Sequence, residues 1–164
     1  MAADNKTAIS TLNDLIETCK DGSNGFMAAA AAVTQPDAKA LFTSRTPIIE
    51  HAAAELQAEV TRLGGKPETS GSVAATVHRG FIGLKAAITG KDEAAVITEC
   101  VRGEELAVKN YEDALKKELP METRAILERH LRGTVQNLEK VRALGQRYNA
   151  SEPTIAPKPE ADAR

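Results

Sequence analysis

Glu104 is the residue whose type and position first suggest chemistry. It falls on a helical stripe whose other members are Ile97, Val101, Val108, Tyr111 and Leu115, spaced three and four residues apart. A carboxylate facing a core is costly unless it takes up a proton, binds a cation or is hydrogen-bonded. The pattern allows two outcomes. Glu104 is a metal ligand or an acid whose pKa burial raises, or it is a stripe-edge glutamate that pairs with an arginine such as Arg79 or Arg129, or reaches water.

A pair of metal ions inside a four-helix bundle takes a glutamate from each of two helices and Glu-x-x-His from each of the other two. Carboxylates bridge and neutralise the ions, and imidazoles complete their shells. The chain has glutamates in every long helical segment: Glu17; Glu50, Glu55 and Glu59; Glu99, Glu104, Glu105 and Glu112; and Glu128. It has no Glu-x-x-His, because Ala53, Ala58, Leu131 and Arg142 stand three residues beyond Glu50, Glu55, Glu128 and Glu139. His51 adjoins Glu50 and His130 lies two beyond Glu128, so each points well away from that glutamate around its helix. His78 follows Val77 on a crossover segment. A di-iron oxidase or ferroxidase site of the usual kind is not expected. An all-carboxylate or single-ion site for iron or manganese stays open, and no other cofactor is predicted.

Cys19 and Cys100 both fall on core faces and read as small buried hydrophobes, with no Cys-x-x-Cys or Cys–His pairing to support catalysis. The run His78-Arg79-Gly80-Phe81-Ile82-Gly83 lacks the lysine and hydroxyl pattern of a phosphate loop. Its glycines are expected to let the crossover lie close against its neighbours.

Four long helices must position these residues. The first is expected over about residues 6–33, on the stripe Ile9, Leu12, Ile16, Cys19, Phe26 and Ala30, and the stripe keeps its phase across Gly22 and Gly25. The second spans about 37–63 and stops at Gly64-Gly65 with Pro67 behind. Pro47 lies inside it, which predicts a kink or a restart capped by Thr46. Val73, Val77, Phe81, Leu84 and Ile88 mark a short helix ending at Gly90. The third long helix runs from the cap Asp92 to about Leu119, and the fourth from Pro120 or Met121 to about Tyr148. Short links make two antiparallel hairpins. The link between the second and third helices is long enough to run the length of the bundle, so the fold class is all-α with a long crossover carrying a short extra helix. Residues 1–150 form this one domain, and 151–164, with Pro153, Pro157 and Pro159, read as a disordered tail.

Composition agrees with packed helices. Only 3% of the 164 residues are aromatic, so Leu, Ile, Val and Ala must fill the core. A net charge of -2 argues against a nucleic-acid partner. The opening MAADNKTAIS is not a secretory signal, and no apolar run reaches the length of a membrane span. A cytoplasmic protein is expected, with no membrane partner.

Several segments together carry a resemblance: Leu12-Asn13-Asp14-Leu15-Ile16-Glu17 with Lys20-Asp21-Gly22; Leu63-Gly64-Gly65-Lys66-Pro67-Glu68-Thr69 with Gly71-Ser72; His78-Arg79-Gly80; Lys85 to Gly90; and Glu99-Cys100-Val101-Arg102-Gly103-Glu104. From about residue 7 to 148 the chain resembles a bacterial family of uncharacterised four-helix-bundle proteins in the ferritin-like superfamily, distantly similar to rubrerythrin-type bundles. The resemblance implies a ferritin-like four-helix bundle, a small cytoplasmic protein of structural or stress-associated role, and a homodimer. It also implies a glutamate near the place of Ala31 and a histidine at that of Leu138, where this chain is apolar. Glu17, Glu55, Glu104 and Glu128 are then the residues left that could hold a metal. The leading expectation is a noncatalytic bundle acting through its surface, with Ala28–Ala32 as a small-residue interface. The alternatives are a metal-binding protein or oxidoreductase using buried carboxylates, and a binder of small apolar molecules between helices.

Overall fold

The computed structural model describes residues 2–70 and 83–151. Five helices follow in order: α1 (Ala2–Ala32), α2 (Pro36–Arg62), α3 (Leu84–Thr89), α4 (Glu93–Leu115) and α5 (Met121–Ser151). The expected segments around Val73, Val77 and His78-Arg79-Gly80 lie outside the described residues, as does the tail beyond Ser151. Among the described residues, no helix is long and apolar enough to cross a membrane.

Local chemistry fixes the helix ends. Asp92 caps α4 as expected, its carboxylate accepting from the Ala95 N–H at 3.0 Å. Pro36 takes the first turn of α2, where its missing N–H costs nothing. The glycine stop also holds: Gly64 sits at φ 88°, a left-handed conformation that glycine adopts without strain. At Pro47 the helix differs from the expected restart. α2 runs unbroken through it, and the Thr46 hydroxyl donates backward to the Phe42 carbonyl at 3.4 Å instead of capping a new helix. Thr43 lies on the exposed side, where water can satisfy the carbonyl that Pro47 leaves without a donor.

α1 passes through Gly22 and Gly25 without a break. Gly22 lies against Ile49, whose side chain would stand 3.6 Å from an added Cβ. Phe26 and Phe42 bring their rings to 5.7 Å between centroids, and Leu12, Ile16, Leu56, Leu127 and Leu144 are buried elsewhere along the same core. Each such side chain contributes about 1.5–3 kcal/mol relative to exposure.

Cross-helix bonds give the directions. Asn5 bonds to Leu63 and Ser23 to Glu50, Thr18 to Asn110 and Thr34 to Glu93, Thr123 to Glu59 and Arg129 to Glu55, Arg142 to Glu105 and Arg124 to Leu115. Numbers rise along one helix as they fall along the other, so each of these helix pairs is antiparallel. α2 and α4 therefore run parallel, so the end of α2 and the start of α4 lie at opposite ends of the bundle, ~40 Å apart for a helix of this length. The single crossover that joins them is the connectivity of a ferritin-like bundle. α1–α2 and α4–α5 form the most extensive seams; α1 meets α4 less extensively, and α2 meets α5 less again. α3 docks on α4 through Glu99, which accepts from the Gly83 N–H at 3.1 Å while Arg102 holds its other oxygen at 2.9 Å. An added Cβ at Gly83 would come within 2.6 Å of that carboxylate, so this glycine does permit the close approach expected of it.

Candidate functional site

Glu104 is 2% exposed and lies in the middle of the bundle. Of the two arginines expected beside it, Arg129 pairs with Glu55 instead, and Arg79 lies outside the described residues. The guanidinium of Arg45 on α2 stands 3.2 Å from Glu104 and is itself buried. Burial pushes the Glu104 carboxyl up, while the charge of Arg45 and the side chain of Asn137 pull it back. Arg45 carried the same signal as Glu104, since it interrupts the buried α2 stripe Ala38, Phe42, Ile49, Ala53 and Leu56. An arginine is read as surface by default because its long stem usually carries the charge to water.

A second polar array crosses the bundle from α1 to α2. The Cys19 thiol lies 3.5 Å from the Tyr111 hydroxyl, which lies 3.3 Å from His130 Nδ1. His130 Nε2 lies 3.1 Å from Glu55 Oε1, and Arg129 grips both Glu55 oxygens at 3.0 and 2.5 Å. Arg129 first, then His130, holds the Glu55 carboxyl down at about 2. Burial lowers the pKa of His130 and favours its neutral form. An ionised Glu55 can only accept, so Nε2–H of His130 donates to it and Nδ1 accepts from Tyr111 O–H. The Tyr111 oxygen is then left to accept from the Cys19 S–H. Burial also pushes the Cys19 thiol up to about 11, so it stays protonated at neutral pH.

Both arrays line one cavity of about 610 Å³ walled by all four long helices. Leu15, Ile49, Ala52, Leu106 and Ala107 supply apolar wall, and Thr11 lies toward the opposite end from Arg45. The lining carries six carboxylates and three permanent cations. Glu17 is among the carboxylates, its acid form favoured by burial and then by repulsion from Glu68, Asp14 and Asp21.

Glu17, Glu55 and Glu104 thus share the cavity, while Glu128 is exposed on α5 and does not reach it. Of the positions where the family resemblance implied further ligands, Ala31 is exposed and Leu138 is buried. Among the described residues, no three His, Cys, Asp or Glu side chains converge in an arrangement that could hold a metal ion. Glu104 and Glu55 each already face a guanidinium, so this donor set does not fit a dinuclear carboxylate centre. His130, turned away from Glu128 around its own helix, has Glu55 across the bundle as its partner.

A family described as "Domain of unknown function (DUF2383)" matches residues 7–117. No curated protein sequence matches the chain. Among solved structures, the chain is similar to a two-domain protein of Anabaena variabilis containing DJ-1/ThiJ/PfpI-like and ferritin-like domains, with TM-score 0.75 and 15% identity over 100% of this chain. The chain spans 42% of that longer protein. It is also similar to the DPS protein of Vibrio cholerae O1, described as a member of a broad superfamily of ferritin-like diiron-carboxylate proteins (TM-score 0.67, 11% identity, 87% of this chain and 91% of that one). A third is the dodecameric thioferritin, a bacterioferritin-related protein of Bacteroides fragilis (TM-score 0.67, 16% identity, 90% and 91%). At these identities the likeness is one of fold.

Proposed function

The chain belongs to the family described as a domain of unknown function, DUF2383, and since membership brings no activity with it, we propose from the site itself that this is a noncatalytic ferritin-like bundle held together by an internal charge pair where a metal-binding bundle would use ions. The observation that carries this reading is the buried Arg45–Glu104 contact at 3.2 Å. A guanidinium and a metal ion compete for the same carboxylate oxygens, and here the cation is part of the chain. Glu55 is likewise engaged by Arg129 and His130. The protein then acts as a structural or stress-associated component of the cytoplasm.

Its assembly in this reading is a homodimer through α1. Met27 is 52% exposed there beside the exposed Ala28 and Ala31, a small-residue surface that a second copy can approach closely.

Elemental analysis of protein purified without chelator, then offered ferrous iron, manganese and zinc, tests the metal-free reading. No stoichiometric metal is expected in the wild type or in Glu104→Gln. Retention of one or two ions, lost in Glu104→Gln, would establish instead the metal-binding alternative through Glu17, Glu55 and Glu104.

The cavity of about 610 Å³ favours a second reading, a binder of small molecules between the helices. Its volume lies within the roughly 300–1,000 Å³ range of ligand pockets.

A further inference from the structure

We infer that the cavity between the hairpins takes a small, uncharged, elongated molecule with an apolar body and a carbonyl-type acceptor, the acceptor meeting the Nε–H of Arg45. This rests on the small-molecule reading above and names the class of ligand. Three independent features of the site carry it.

The first is an unmet donor. Arg45 lines the cavity and gives one terminal nitrogen to Glu104, yet its Nε–H has no hydrogen-bond partner among the described residues; neighbouring atoms cover it, so an incoming acceptor reaches it when the guanidinium turns toward the cavity. Nε–H can only donate, so its complement is an acceptor such as a carbonyl oxygen. The Thr11 hydroxyl, 2% exposed and also on the cavity wall, lacks a partner in the same sense. The pairing of Thr18 with Asn110 and Cys19 with Tyr111 places Thr11 near the level of Lys117, just past the end of α4 and more than three helical turns from Glu104. The two unmet groups therefore stand roughly 20 Å apart along the bundle. A long ligand, or one with water at its far end, satisfies both.

The second feature is the wall between them. Leu15, Ile49, Ala52, Leu106 and Ala107 present hydrocarbon there, which recognises an apolar body.

The third is charge. Arg45 is already balanced by Glu104, and carboxylates outnumber permanent cations around the cavity by six to three. An anionic headgroup entering beside Glu17, Asp14 and Asp21 meets repulsion, so a fatty-acid-like anion is selected against. A neutral acceptor takes the Arg45 hydrogen bond without adding charge.

The chain has no tryptophan, so a solvatochromic dye reads binding against little protein emission. The neutral naphthyl ketone prodan and the anionic dye anilinonaphthalene sulfonate are titrated into the full chain, with far-UV circular dichroism and urea midpoints confirming the fold of each variant. Prodan is expected to bind at least about 10-fold more tightly than the sulfonate. Ala107→Leu fills the cavity and is expected to weaken prodan at least about 10-fold; if that variant does not fold, Ala52→Leu takes its place. Arg45→Lys keeps the charge opposite Glu104 and removes Nε–H, with an expected loss of about 3- to 10-fold, the value of one hydrogen bond. Tighter binding of the sulfonate, or no loss in folded Arg45→Lys, overturns the inference about ligand class and leaves the small-molecule reading standing. No binding of either dye, or prodan binding unchanged in the folded cavity-filling variant, overturns both.

Discussion

The guanidinium of Arg45 and the carboxylate of Glu104 sit 3.2 Å apart, one on each hairpin, and both are shielded from water. Asn137 reaches Glu104 from within its own hairpin, but the two charges balance each other only when one hairpin docks on the other. A pair of this kind gives little net stability over apolar side chains of similar size, but either charge left alone is costly.

Removing one partner therefore costs more than removing both. Arg45→Met and Glu104→Leu are each expected to lose about 3–5 kcal/mol, and the double variant to be more stable than either single one. Urea unfolding of the four proteins checks this. A double variant no more stable than the singles would show that the two charges are not coupled.

Acid is expected to destabilise the protein in two steps. Burial depresses the pKa of His130 below 6.5, so below that pH the unfolded chain binds a proton that the folded one resists, and stability falls as pH drops. Glu55, held at about 2 against 4.5 for a free glutamate, contributes stability that is present above pH 4.5 and lost as pH falls toward 2. Melting temperature followed against pH should show the first decline removed in His130→Gln. Glu55→Gln should reduce the second without abolishing it, because Glu59, held down chiefly by Arg62, titrates in the same acid range.

The donor directions from Cys19 to Glu55 require one tautomer of His130. Nitrogen-15 chemical shifts of the imidazole at pH 8 should identify Nε2 as the protonated nitrogen. A proton on Nδ1 would reverse the Tyr111 bond.

Both cysteines should be inert in the folded chain. Burial raises the thiol of Cys19 to about 11 and that of Cys100 further still, the latter with help from the negative charge of Glu104. An aromatic disulfide reagent at pH 8 is expected to label neither in native protein and both in urea. Fast native labelling of Cys19 would contradict the protonated thiol that begins the hydrogen-bond array.

Gly65 lies where the chain leaving α2 crosses α1, and an added Cβ would stand 2.7 Å from Ile9. Ile9 is β-branched and stiff, so Gly65→Ala is expected to cost about 1–3 kcal/mol. Ile9→Ala made in that background should recover part of the loss, as read by thermal melting.

The sequence disclosed what depends on neighbours along a single helix. The α4 stripe, the Asp92 cap and the continuity of α1 through Gly22 all follow from spacing and local chemistry. The restart expected at Pro47 is absent because the lost bond falls on one carbonyl on the wet side of α2, which leaves no reason to end the helix there. Glu104 was legible as an anomaly, but its partner was not. Arg45 interrupts an apolar stripe in the same way, and a charged residue at such a position is informative whichever its sign. The meeting of His130 with Glu55 had no signature in spacing, because it is set by how far one hairpin slides along the other.

The crossover has a consequence for assembly. Since the most extensive seams lie within α1–α2 and within α4–α5, each hairpin can gather from residues close in sequence, and the chain between them serves chiefly to keep the halves at high mutual concentration. Severed between residues 63 and 92, the protein becomes a pair of fragments that must find each other by diffusion. Their reunion would then depend on protein concentration, with the Arg45–Glu104 and Glu55–His130 bonds acting as the latch.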